Sequence, residues 1–236
     1  MPSRMPRYKR IREPGLLHHV MSRGNGRMKI FLDDLDYRKF LYMLTDALDV
    51  WDVECWDACV MPNHYHLALM DHQGALSRAM HQLNSEYAIW WNAKHERVGH
   101  VFQGRYKDQV VQREGYLASL LRYIAMNPVR AGLVKLPELW PWSAYRYTAG
   151  LAPNPGFVRS DPVLALFGDS DVAALRQRYV DHVVAEIRDD NESYLRFRSR
   201  QRILGDRAFK LKVRRLLSPS VASATVPASS DAVCFP

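Results

Sequence analysis

The sequence is poor in cysteine. Cys55, Cys59 and Cys234 are too few for a disulfide framework, and their odd count fits a reducing compartment. Long hydrophobic runs are missing as well: nothing approaches the ~18 uninterrupted apolar residues of a membrane span. The N-terminus carries Arg4, Lys9, Arg10 and Arg12 and lacks the apolar core of a secretory signal. These absences point to a soluble cytoplasmic protein with no membrane partner. No internal repeat is visible, which excludes a solenoid. Acidic residues are in deficit, with 25 Asp and Glu against 33 Lys and Arg, a net charge of +8. That balance favours a polyanionic partner without identifying it. Apolar residues are plentiful: 47% of 236 residues suffices for one domain with a real core plus an appendage.

Periodicity divides the chain. Leu16 to Arg23 reads as a strand, cut off by the turn signal Gly24-Asn25-Gly26. From Asp34, residues Tyr37, Phe40, Leu41, Leu44, Ala47, Leu48 and Trp51 recur at helical spacing. Val53 to Met61 and His64 to Met70 read as a hairpin about the turn Pro62-Asn63. Leu76, Met80, Leu83, Tyr87 and Trp90 mark a second helix, and Asp108 to Gln112 a short strand. Leu117, Leu120, Leu121 and Ile124 mark a third helix, expected to end near Asn127 because Pro128 follows. The order β-α-β-β-α-β-α is that of an α+β, ferredoxin-like split βαβ fold with an antiparallel sheet. That domain is expected over 8–150, followed by a Pro-containing linker (151–170), a basic helical segment (171–217) and a disordered tail (218–236).

Two local patterns carry chemistry. In Met61-Pro62-Asn63-His64-Tyr65-His66-Leu67 alternate side chains share a face, so His64 and His66 stand together, about 7 Å apart along the strand. Two neutral imidazoles there can reach one divalent cation and leave positions open. From spacing alone, two surface imidazoles are the simpler reading. The second pattern is Arg122-Tyr123-Ile124-Ala125-Met126-Asn127-Pro128. At about 100° per residue, Tyr123 lies at the edge of the apolar stripe and Asn127 one turn on along the same side. Cys55 and Cys59 read as buried small residues on one strand face, and the adjacent His18 and His19 point opposite ways.

The longer words resemble a known family. Met21-Ser22-Arg23-Gly24-Asn25, Asp36 to Leu41, Met61 to Leu67, Gly99 to Lys107, Arg122 to Leu133 and Trp140 to Arg146 together are similar to the single-tyrosine HUH transposases, in particular the REP-associated tyrosine transposases. The resemblance covers residues 8–150 and implies an HUH endonuclease fold. It implies that His64 and His66 hold Mg²⁺ or Mn²⁺, that Asn127 stands in the place of a third, amide-bearing ligand, and that Tyr123 is the nucleophile. Many relatives have Gln at that third place; Asn is one methylene shorter. The implied reaction is cleavage and rejoining of single-stranded or hairpin DNA, with repetitive extragenic palindromes as one source, through a 5′-phosphotyrosine. The protein would act as monomer or homodimer.

Arg23, Asn25 and Arg27 beside the first turn, Arg105 and Lys107 before the last strand, and Arg122 and Arg130 on the third helix are candidate DNA contacts. Tyr106, Trp140, Trp142, Tyr145 and Tyr147 are candidate stacking platforms. Two rivals remain at this point: a non-catalytic binder of structured DNA, and a metal-dependent nuclease in which water replaces Tyr123.

Overall fold

The computed structural model describes residues 10–185, 197 and 201–217. Its sheet has five strands in the order β2-β3-β1-β4-β5. They are β1 (Leu16–Arg23), β2 (Val53–Met61), β3 (His64–Asp71), β4 (Lys107–Val111) and β5 (Ile203–Leu204). The first four pair antiparallel in the split βαβ arrangement, and β5 adds to β4 in parallel. Three long helices flank them: α1 (Asp34–Val50), α2 (Leu76–Lys94) and α3 (Arg113–Arg130). After them come α4 (Tyr145–Thr148), α5 (Asp161–Leu164), α6 (Val172–Val184) and α7 (Arg207–Leu217). Among the described residues no helix is long and apolar enough to cross a membrane.

Strand alternation decides which helix covers which face. Val20, Val60, Tyr65, Leu67 and Leu69 point to one side and pack under Phe40, Leu44, Leu48, Met80, Leu83 and Tyr87 of α1 and α2. Leu67 is fully buried there, a placement worth roughly 1.5–3 kcal/mol relative to exposure. The opposite side carries Leu17, Cys59, Met61, Ala68 and Val111 under Leu117, Leu121 and Ile124 of α3. Helix α1 starts at Asp33, whose carboxylate accepts the Asp36 amide, and buried Asp36 ties Lys94 and His95 at the end of α2 to that start. One side of the sheet is therefore closed by a helix pair and the other by α3, backed by Val163, Leu164, Tyr179, Val183 and Phe197.

Three expectations need correction. Helix α3 does not stop before Pro128 but runs on to Arg130. Proline removes one amide from the last turn, which is tolerable where few bonds remain to be made. Cys55 and Cys59 do not share a face. The register shifts between Cys55 and Asp57, so Cys55 pairs with Leu69 and joins the α1–α2 core while Cys59 pairs with His66 under α3. Such a bulge inverts the alternation that a regular strand would keep. Residues 151–170 are not a loose spacer: the Arg159 amide donates to the Cys55 carbonyl at 2.7 Å, and Val158, Val163 and Leu164 are buried. Together with 142–144, which bond Ala58 and Val60, they cover the edge of β2. The tail 218–236 and Arg196, Arg198 and Arg200 of the basic segment lie outside the described residues.

Candidate active site

The face of the sheet under α3 is where the two histidines project. In register, His64 pairs with Arg23 of β1 and Met61 of β2, and His66 with Met21 and Cys59. The rings lean together, with centroids 5.0 Å apart and planes at 85°. His66 is 4% exposed and His64 half-buried. Burial, with Arg23 nearby, lowers the pKa of His64 to about 4. Burial also holds His66 well below the usual imidazole range, helped by His64, His19 and Arg23. Both are neutral near pH 7, the form that can bind a metal.

The hairpin turn orients His64. The Asn63 side-chain amide donates to the Arg27 carbonyl at 3.2 Å, so its oxygen is the atom 2.6 Å from His64 Nδ1. An amide oxygen only accepts, so Nδ1 carries the hydrogen and Nε2 is left with its lone pair.

Helix α3 lays Tyr123 against His66. Its ring stands edge-on to His66, with centroids 5.4 Å apart. Tyr123 is 4% exposed, so the edge position expected from one helix's periodicity is a buried one. The side of α3 that reads as an edge is covered by Phe197, 5.2 Å from the Tyr123 ring. Asn127 sits one turn on, its amide nitrogen donating to the Tyr123 carbonyl at 2.7 Å. That bond uses the nitrogen and leaves the oxygen, the atom a cation would take, on the other arm.

These four residues line one cleft of about 610 Å³ together with Arg23, Arg105, Lys107 and Arg130. Asn25 and Arg27 are exposed on the adjoining turn. Arg122 is elsewhere: its guanidinium donates to the His182 carbonyl at 2.8 Å and bonds the His182 ring, bracing α6. Four of the aromatic residues expected as stacking platforms are engaged in packing. Trp142 stacks on Tyr37 at 4.5 Å, Trp140 donates to the Val60 carbonyl, and Tyr106 and Tyr145 are buried. Two residues have a place here that sequence reasoning misses: His19 reads only as pointing away from His18, and Gln109 only as part of a short strand. His19 on β1 contacts His66, Nε2 to Nδ1 at 2.9 Å, and Gln109 on β4 contacts His19 Nδ1 at 3.1 Å. The signal for them is strand pairing, which brings Gln109 opposite His19 and which no single strand reveals.

Among the described residues no cluster of three or more His, Cys, Asp or Glu is arranged to hold a metal. The donor set here is instead two imidazole nitrogens and an amide oxygen. Three such ligands would leave coordination positions open for water and phosphate oxygens.

A Haemophilus influenzae protein assigned as a REP-associated tyrosine transposase is 25% identical over 176 residues, covering 70% of this chain and 99% of that protein. The solved structure of a REP-associated tyrosine transposase bound to a REP hairpin superposes with a TM-score of 0.54 at 18% identity. That alignment covers 71% of this chain and 93% of the other, and it supports the HUH fold. Residues 14–127 match the family described as IS200-like transposases, a match that runs from the approach to β1 through both histidines and the tyrosine to Asn127. The chain is thus similar to the IS200-like transposases over residues 14–127, and REP-associated tyrosine transposases are among the proteins it resembles.

Proposed function

We propose that this protein cleaves and rejoins single-stranded, hairpin-forming DNA through a covalent bond to Tyr123. The observation that carries the reading is the packing of Tyr123 against His66 inside a cleft that also holds His64 and Asn127. The phenol oxygen attacks a phosphodiester phosphorus, and the bond to the 3′ oxygen breaks. The products are a 5′-phosphotyrosine and a 3′-OH; the phenol proton passes to solvent and the leaving oxygen takes one up. The step is isoenergetic enough to run backwards, so a second 3′-OH can displace Tyr123 without ATP.

His64, His66 and Asn127 would hold the divalent cation. What that ion supplies when bound is positive charge against a non-bridging phosphate oxygen. Arg23, Arg105, Lys107 and Arg130 offer charge along the cleft, and Asn25 and Arg27 extend it over the turn. REP-type hairpins, such as the one bound to the solved relative, are the proposed substrate class.

The test is a denaturing gel with an end-labelled hairpin bearing single-stranded flanks. The wild-type protein with Mn²⁺ should become attached to label and release a strand with an extendable 3′-OH. Release of a free 5′-phosphate without attachment would favour the water-using nuclease. Binding without cleavage would favour a non-catalytic binder.

A further inference from the structure

We propose that His19 and Gln109 are positioning residues for His66, and that the backbone leading into β5 sets their hydrogen order. The proposal rests on the metal-holding role proposed for His66.

The argument follows hydrogens inward from a backbone carbonyl. Gln109 Nε2 donates to the Gln201 carbonyl at 2.8 Å. A carbonyl only accepts, so the amide nitrogen must face it and the Gln109 orientation has one choice. Its oxygen then faces His19 Nδ1 at 3.1 Å, and an amide oxygen only accepts too. His19 Nδ1 therefore carries the hydrogen. His19 is fully buried, and an imidazole with its one hydrogen on Nδ1 has a bare Nε2. At 2.9 Å from that nitrogen, His66 Nδ1 must be the donor. His66 is neutral as well, which leaves its Nε2 lone pair for the cleft. Each link has one allowed sense, and no ring or amide in the relay is more than 4% exposed.

The anchor comes from a distant part of the chain. The Val110 amide donates to the Arg202 carbonyl and the Gln112 amide to the Leu204 carbonyl, both at 2.8 Å. The register of β5 on β4 thus brings the Gln201 carbonyl to Gln109. Phe197, 5.8 Å from the His19 ring, closes the same side. His64 is oriented separately through Asn63, so the two imidazoles are aimed by independent devices. Outer partners of this kind typically change metal affinity roughly 10- to 100-fold when removed.

The decisive experiment is long-range ¹H–¹⁵N NMR of the metal-free, full-length chain with ¹⁵N-histidine. The expected result is a protonated Nδ1 and a bare Nε2 on both His19 and His66. A hydrogen on His66 Nε2 would overturn the relay. The second measurement is Mn²⁺ binding without DNA by Gln109→Leu, expected to weaken roughly 10- to 100-fold while hairpin binding without metal stays near wild type. Gln109→Glu, which keeps an acceptor toward His19, should recover part of that affinity. Unchanged Mn²⁺ affinity in Gln109→Leu overturns the positioning role, and if that variant does not fold, the wild-type spectrum decides. Wild type that shows the assigned tautomers but binds no Mn²⁺ overturns the metal reading and the positioning role with it. Mn²⁺ binding with the opposite tautomer overturns the relay alone.

Discussion

Asp57 and Tyr123 show how differently two buried polar side chains behave. The Asp57 carboxyl accepts the Ala58 amide through one oxygen, while the other has no partner. Burial therefore holds its pKa well above the ordinary carboxylate value. The folded state binds the proton more tightly than the unfolded state, so stability is greatest below the unfolded pKa, near 4. It declines as pH rises toward the folded value. Asp57→Asn should accordingly gain in melting temperature relative to wild type between pH 4 and 8, with the gap widening as pH rises. A gap that is flat across that range would contradict the assignment. Tyr123→Phe removes one oxygen from the cleft and the hydrogen bonding of that hydroxyl, at about 1 kcal/mol per bond. The variant should fold and bind Mn²⁺ like wild type yet form no DNA adduct; residual adduct would move the nucleophile. That His64 and His66 share a face was legible from the sequence because a strand's period of two needs no partner, whereas the burial of His66 was not. His19 and Gln109 were not, because their meaning lies in how three strands pair.

At the scale of elements, the turn after β1 shows how local geometry holds the site. The Gly24 amide donates to the Asn63 carbonyl, the Asn25 amide to Val101 and the Gln103 amide to Arg23, joining three segments around His64. A Cβ on Gly24 would lie 2.3 Å from the Met28 carbonyl oxygen and 2.8 Å from an Ile30 methyl. Gly24→Ala should therefore destabilise the protein by about 1–3 kcal/mol in chemical denaturation. Wild-type stability would mean that the turn gives way freely. The bounds of β1, β2 and α1 could be read from periodicity and punctuation. The bulge at Cys55 could not, since nothing in the residue types announces a skipped position. Nor could the passage of α3 through Pro128, where the local preference for stopping loses to burial of Met126 and Asn127.

For the molecule as a whole, the C-terminal part is a working piece of the fold. Tyr179 and Val183 of α6 lie in the core under α3, β5 completes the sheet, and Phe197 packs on Tyr123. The helical character of α6 and α7 was legible, but β5 and the packing of Phe197 were not, because a two-residue strand and a single phenylalanine leave no periodic trace. A chain ending at residue 150 should lose cooperative melting by circular dichroism, and unchanged melting would mean the remaining domain closes its own core. Helix α7 exposes Lys212, Arg214 and Arg215. Replacing all three with Gln should flatten the slope of log affinity against log salt for a single-stranded ligand by roughly 2, at ~0.7 per phosphate contact. An unaltered slope would mean that α7 does not touch DNA.

The central claim is that Tyr123 forms the bond to DNA, and it can be read at the atom. Full-length protein is incubated with Mn²⁺ and a flanked hairpin, then digested with trypsin and examined by mass spectrometry. Cleavage after Arg122 puts Tyr116 and Tyr123 on different peptides. The account predicts a 5′-phosphonucleotide on the peptide Tyr123–Arg130 and none on the peptide carrying Tyr116. An adduct on Tyr116, or cut DNA with no tyrosine modified, would contradict it.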